Sequence, residues 1–308
     1  MDINESVVDN NYGFLVSEKR KKIWNIELDL IRQFISICQH YGLHYIASGG
    51  TLLGAIRHNG FIPWDDDVDI MMPRNDYERF LNIAQSNLPK YCFVQSNKTE
   101  KYYANGHAQI RNNNTTCFLK SSFIDLQLGK NCGIFIDIFP YDAVPDKKLK
   151  RYFFSLKIKI LKALCWSKIY GISNGSLKSI LKNLMAKVYF TFHELENSIE
   201  YINQLSKNYE GKSTSVALTS FIPGYEKNVW PSCLFDDIVY HKFCDIDIAI
   251  PKEFDRVLSI EFGDYMKIPD NKNGTMHGRC FFDTEHSYVE YAGLSRSEFN
   301  NLFQISDY

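Results

Sequence analysis

GFIPWDDDVDIMMPRNDYERF, residues Gly60 to Phe80, sets four aspartates within five positions and then runs into Ile70, Met71 and Met72. Two carboxylates about 4 Å apart repel by about 1 kcal/mol in water and about 4 kcal/mol at the dielectric of a protein surface. Four such charges at the head of an apolar strand call for either an acidic, solvated turn or a bound cation. Side chains alternate along a strand. If residues 65–72 are extended, Asp65, Asp67, Asp69 and Met71 share one face, and Asp66, Val68, Ile70 and Met72 share the other. The apolar set marks the packed face. Asp67 and Asp69, roughly 6.6 Å apart at about 3.3 Å per residue, can close on one divalent ion from the opposite side. Asp66 then points away as a loop anchor, and the position of Asp65 after Pro63-Trp64 stays open.

Two neighbouring stretches bear on that choice. IASGGTLLGAIRH (residues 46–58) reads as a short strand, a glycine turn and a helix. Glycines permit the tight turn and turn backbone N–H groups toward an anion at the helix start. Ser48 and Thr51 add hydroxyl donors beside Gly49 and Gly50. GIFIDIFP (residues 133–140) is a strand apolar on both faces with one charge, Asp137, in its middle. A lone buried carboxylate needs a partner, either an arginine such as Arg57 or Arg111 or a metal shared with Asp67 and Asp69. An all-oxygen set suits Mg²⁺ or Mn²⁺. The nearby histidines are limited to His58 and His107, which argues against zinc.

Farther out, the 308 residues are 45% hydrophobic and 15% aromatic, enough for a packed core and unlike a disordered chain. The acidic, polar start MDINESVVDN shows no secretion signal, and no uninterrupted apolar stretch of membrane-spanning length occurs, so a cytoplasmic location is expected. Eight scattered cysteines without a CxxC pair read as reduced thiols. Ile23, Ile26, Leu30, Phe34 and Ile37 predict a helix over residues 19–40, ended by Gly42. Strands are predicted in LHYIAS, VDIMM, YCFVQS, HAQIRN, TTCFLK and GIFIDIFP, with a helix from about Asn75 to Asn87. A helical period runs from Leu177 through Ile180, Leu184, Val188, Leu195 and Ile199 to Ile202. Further strands follow in the stretch 229–254, and a helix ends at Gly263. The expected organisation is a mixed α/β core at 20–145, a helical basic section at 146–210, and a return to the core at 215–285. Residues 147–187 hold eleven Lys or Arg and no Asp or Glu, leaving 24 basic against 36 acidic residues elsewhere. This block is either a solvated helical face or a platform for an anionic or lipid-linked partner at the inner membrane surface. It carries no nucleic-acid recognition motif, and no nucleic acid is expected.

The residues from Gly49 to Phe80 resemble the signature of the LicD family, the phosphocholine transferases related to fukutin and fukutin-related protein. QIRNNNT (residues 109–115), GIFIDIFPYD (133–142) and EFGDYMKIP (261–269) with His277 follow in the family's order, so the resemblance spans roughly residues 20–280. The stretch DNKNGTMHGRC is poorer in basic residues and histidines than the family's C-terminal end. The resemblance implies a nucleotidyltransferase-type core, an α/β fold with a mixed sheet, with Gly49 and Gly50 as the glycine turn and Asp67, Asp69 and Asp137 as metal ligands. It implies transfer of a phospho-alcohol from a CDP-alcohol donor, CDP-choline first, to a hydroxyl of a glycan or lipid-linked glycan such as lipopolysaccharide or capsule, with CMP released. Ser48, Thr51, Arg57 and Arg111 are then candidate phosphate contacts, and Asp137 is also a candidate general base. Trp64, Tyr141, Tyr102 and Tyr103 are candidate walls for a quaternary ammonium. A metal-dependent nucleotidyltransferase acting on a nucleoside triphosphate, an Asp-x-Asp glycosyltransferase using a nucleotide sugar, and a non-catalytic scaffold are the competing readings.

Overall fold

Between Ser17 and Gly42 the apolar residues recur every three or four positions and the chain winds into helix α1 (Glu18–Tyr41). The Ser17 hydroxyl accepts the Arg20 N–H at 3.2 Å, and Gly42 closes the other end in the left-handed conformation, φ 59°. The computed structural model describes residues 16–119, 121–171, 176–220, 228–268 and 280–305. After α1 come β1 (Ile46–Ala47), α2 (Gly49–His58), β2 (Asp69–Pro73), α3 (Arg74–Asn87), β3 (Cys92–Gln95), β4 (Ala108–Asn112) and β5 (Thr116–Phe118). They are followed by α4 (Ser122–Gln127), β6 (Ile134–Val144), α5 (Lys148–Tyr170), α6 (Leu177–Phe192) and α7 (Leu195–Ser206). The chain continues with β7 (Ser215–Ala217), β8 (Val229–Pro231), β9 (Ile238–Phe243), β10 (Ile246–Pro251), α8 (Phe254–Phe262), β11 (Phe281–Asp283) and α9 (Arg296–Ile305).

The main sheet runs β1-β2-β6-β4-β3, with β7 on the far end of β6 and β8 beyond it. Its pairs are antiparallel except β2 with β6, whose parallel register sets Asp69 opposite Asp137. The architecture is therefore α/β with a mixed sheet, as expected. Ile134, Ile136 and Ile138 of β6 are fully buried, and Trp24, Leu28, Ile31 and Phe34 of α1 belong to the main core. Trp230, Phe243, Ile248, Ile250 and Val257 join that same core, so the chain beyond β8 folds back on it. A separate apolar cluster binds α5 to α7 through Ile158, Leu161, Cys165, Ile199 and Ile202.

Four details depart from the sequence reading. The predicted VDIMM strand is β2, but the extension supposed back to Asp65 is not realised, because the backbone turns first: Asp65 N–H bonds to Ile62 O at 2.9 Å, and Asp65 O accepts from Arg20 Nη1 and Trp24 Nε1. Gly49 and Gly50 form the first turn of α2 rather than preceding it. The single helical period over 177–202 breaks into α6 and α7 at His193, which is extended (φ −132°), and the α6 part of it faces water instead of a core. Past the expected boundary at 285, α9 buries Phe299 and Phe303 against Phe118.

Candidate active site

Helix α2 starts where β1 ends, and two reciprocal bonds fasten that junction to β2. Ser48 N–H donates to Asp69 O at 3.0 Å, and Asp69 N–H donates to Thr51 Oγ1 at 2.8 Å. Gly49 holds φ 50°, and a Cβ on it would lie 3.0 Å from Asp69 Oδ2; one on Gly50 would lie 2.4 Å from Asp65 Oδ2. The glycines are therefore what let two carboxylates approach the start of α2. Ser48 makes no side-chain cap, and first-turn N–H groups have no acceptor inside a helix, so this end suits an anion.

Asp65, Asp66 and Asp67 each place an oxygen within 4.8 Å of the others. This is the acidic trio that converges among the described residues, and it shares Asp67 with the expected set of Asp67, Asp69 and Asp137. Asp69 faces Asp137 across the β2–β6 register beside it. Asp66, expected to point away, shares a small cavity with Asp67, Glu27, Cys117 and Cys280. Burial drives the Asp67 carboxyl well above its usual range, and the charges of Asp69, Asp65 and Asp66 push it further the same way. Glu27 is pushed well above by burial and then by Asp66 and Asp65, against the opposing charge of Arg20. Its Oε2 is buried without a hydrogen-bond partner. So crowded a set of oxygen ligands, one of them orphaned, fits a hard divalent cation.

Asp137 is 7% exposed and held by two side chains from the segment leading into and along β4. Gln109 Nε2 donates to its Oδ1 at 2.7 Å, and His107 Nε2 lies 3.1 Å from the same oxygen. Arg111 bonds to Gln109 Oε1 at 2.6 Å, Gln95 Oε1 at 2.5 Å and Gly133 O at 2.7 Å. Arg111 therefore braces Gln109, one link behind Asp137, rather than reaching toward the glycine turn. Arg57 donates to Tyr265 O at 2.8 Å and stands 5.9 Å over the Trp64 ring, joining the first motif to the EFGDYM stretch. Thr51 is 3% exposed with its oxygen turned to β2. The aromatic candidates do not gather: Tyr141 packs on Phe235, Tyr103 is buried, and Tyr102 lines a cleft with Lys168 and Phe190. His277 lies outside the described residues.

Glu27, His107 and Gln109 went unassigned in the sequence reading, although two left a signal. Glu27 falls four residues after Ile23 and before Ile31, a charged residue at a core position of α1. Gln109 shares its strand face with Arg111 inside the QIRNNNT stretch.

A glycine turn opening a helix beside an acidic strand of a mixed sheet is the arrangement expected of a nucleotidyltransferase-type core. Residues 42–162 match the family described as LicD/FKTN/FKRP, nucleotidyltransferase domain, and the chain carries a LicD-family domain. It is 27% identical over 256 residues to the lipopolysaccharide cholinephosphotransferase LicD of Haemophilus influenzae, a match covering 81% of this chain and 92% of that protein. Over 39 residues it is 46% identical to the ribitol 5-phosphate transferases FKRP of mouse and human, covering 13% of this chain and 8% of theirs.

Proposed function

We propose that the protein is a metal-dependent phosphotransferase that moves phosphocholine from CDP-choline to a hydroxyl of a cytoplasmic, lipid-linked glycan precursor of the cell surface. The observation that carries the choline assignment is the likeness to a cholinephosphotransferase along 92% of that protein's length, against a short match to the ribitol 5-phosphate transferases. In the step itself, the acceptor oxygen bonds to the phosphorus bearing choline. The bond from that phosphorus to the bridging oxygen breaks, and CMP leaves with the electron pair. The acceptor proton passes to a base, for which Asp137, oriented by Gln109 and His107, is the candidate.

Asp65, Asp66 and Asp67, whose oxygens converge, with Asp69 and Asp137 beside them across the register, would hold Mg²⁺ or Mn²⁺. When bound, the ion supplies charge neutralisation for the diphosphate. The first-turn amides of α2 at Gly49, Gly50 and Thr51 would donate to the same phosphates, and Arg57, bonded to Tyr265 O and over the Trp64 ring, would hold those groups at the site's edge. Positioning and charge account for this chemistry without a covalent intermediate.

The test is CMP release and thermal stabilisation with CDP-choline, CDP-ribitol and UDP-sugars, each with Mg²⁺, with Mn²⁺ and with chelator. CDP-choline alone should shift the melting temperature, and only with the ion, because a ligand selective for the native state raises it. A response to CDP-ribitol in its place would reassign the alcohol. UDP release from a nucleotide sugar, or pyrophosphate release from a nucleoside triphosphate, would end the proposal.

A further inference from the structure

Helices α5 and α6 carry an apolar stripe that nothing in the described structure covers. On α5, Leu149, Phe153, Leu156 and Ile160 follow the spacing i, i+4, i+7, i+11 and are 70, 60, 36 and 46% exposed. On α6, Leu177, Leu181, Leu184 and Val188 repeat the same spacing at 82, 56, 57 and 58% exposed. The α6 stripe lies opposite the buried Asn183 and Ala186, and the α5 stripe, confined to residues 149–160, lies opposite the buried Ile158, Leu161 and Cys165; farther along α5, Leu164 and Ser167 are buried on the stripe's own side, Ser167 against Asn183 of α6. At about 100° per residue, the α5 stripe is flanked by Lys148 and Lys159 on one side and by Lys150 and Lys157 on the other. Lys178 and Lys187 flank the α6 stripe in the same way. No described helix is long and apolar enough to cross a membrane.

We propose that the α5–α6 pair is an in-plane docking face for an anionic lipid bilayer. An interfacial helix seats an apolar face in the acyl boundary and keeps Lys at the headgroups, which is the layout of both helices. Large apolar side chains exposed in a row on a helix mark an interaction site. Its charge selects the occupant. Residues 147–187 hold eleven cations and no acid, and apart from Lys162, which is tied to Asn105 O and Ser220 O, these would oppose one another across a contact between two copies, while a negatively charged leaflet attracts them. Acidic residues resume only at Glu194, on the loop into α7. Tyr152 and Trp166, half exposed on α5, supply rings suited to the headgroup layer. The inference does not depend on the donor or acceptor assigned above.

The test is cosedimentation of the full chain, without donor or acceptor, with vesicles of phosphatidylcholine alone or mixed with phosphatidylglycerol. Binding is expected only to the mixed vesicles and should weaken as salt rises. Replacing three exposed lysines (Lys150→Gln, Lys159→Gln, Lys182→Gln) should lower partitioning about 100-fold, at about 1 kcal/mol per cation. A Phe153→Ser, Leu184→Ser pair should lower it about 10-fold or more through lost apolar burial. All five side chains are exposed, so an unchanged melting temperature certifies the fold of both variants. Equal binding to neutral vesicles, binding to neither, or a dimer in light scattering abolished by the serine pair would each overturn the proposal. So would stoichiometric capture of an acidic protein with no vesicle binding. CMP release measured with a soluble acceptor is a separate readout, so failure of the docking face leaves the chemistry standing, and the reverse.

Discussion

Helices α1 and α6 show the same three-and-four spacing of apolar residues and come to opposite ends. In α1, Leu28, Leu30, Ile31 and Phe34 are fully buried under the sheet, and Glu27 is buried with them. In α6, Leu177, Leu181, Leu184 and Val188 stand in water. Periodicity fixes that a segment is helical and which side is apolar. What covers that side is a property of the rest of the chain. α1 has β4 and β6 to lie on, with charges of both signs along its outer face, whereas α5 and α6 have each other, α7, and cations only. One region is built to assemble a site and the other to present a surface.

The sharpest way to break that contrast is at the carboxylates, where the largest effect is expected. Asp69→Ala should lower CMP release by about 1,000-fold, while the melting temperature of metal-free protein holds or rises because a like charge beside Asp67 has gone. Gln109→Ala, which removes one of the two side chains that hold Asp137 without touching the cluster, should cost about 10- to 100-fold. Equal kinetics in both variants would remove the acidic cluster from the mechanism.

Stability offers a direct comparison of the two helices. Phe34→Ala should cost about 3–5 kcal/mol in denaturant unfolding, as large-to-small changes in packed cores do. Leu181→Ala should stay within about 0.5 kcal/mol. A loss at Leu181 as large as at Phe34 would mean the α6 stripe is covered in solution and the two helices are alike after all. Between the regions sits a buried ion pair: Arg74 at the start of α3 grips Asp142 of β6 at 2.6 and 2.7 Å, and the Thr219 hydroxyl also donates to Asp142. Ser206, the last residue of α7, lies 3.2 Å from that hydroxyl. Asp142→Ala leaves Arg74 buried without its partner and should cost about 3–5 kcal/mol. Unfolding in two steps in that variant would show that this pair couples the helical section to the sheet.

Much of the site was readable from residue type and spacing because it is local. The glycine turn, the acidic run and the strand around Asp137 each lie within about a dozen residues, and a period of two is enough to choose faces. The alternation holds from Asp66 onward, with Asp66, Val68 and Ile70 buried and Asp67 and Asp69 less so, and fails at Asp65, which is buried as well. What spacing could not reach was anything decided by a distant partner. Thr51 turns to Asp69, Arg111 to Gln95 and Gln109, and Arg57 to a carbonyl 208 positions away. Polar side chains inside a fold take the nearest unsatisfied group, and which group is nearest depends on the sheet order β1-β2-β6-β4-β3, not on the local sequence. For the same reason α9 escaped notice: its Phe299 matters only once Phe118 lies opposite.

A carboxyl on α8, of the core, offers the last contrast with the exposed cations of α5 and α6. Burial pushes the Glu261 carboxyl in α8 up to about 7 from an ordinary 4.5. A raised carboxyl means the folded chain keeps a proton that the unfolded chain gives up. The associated stability is complete below about pH 4.5 and is lost as pH climbs to about 7, with a slope of no more than about 1.4 kcal/mol per pH unit. Above that point the curve should be level with respect to this group. Glu261→Gln stays neutral throughout and should flatten urea-derived stability between pH 4.5 and 7 while changing little below it. A parallel offset of the whole curve, with its slope kept, would place the titrating acid elsewhere, and the buried Glu27 would be the next carboxyl to replace.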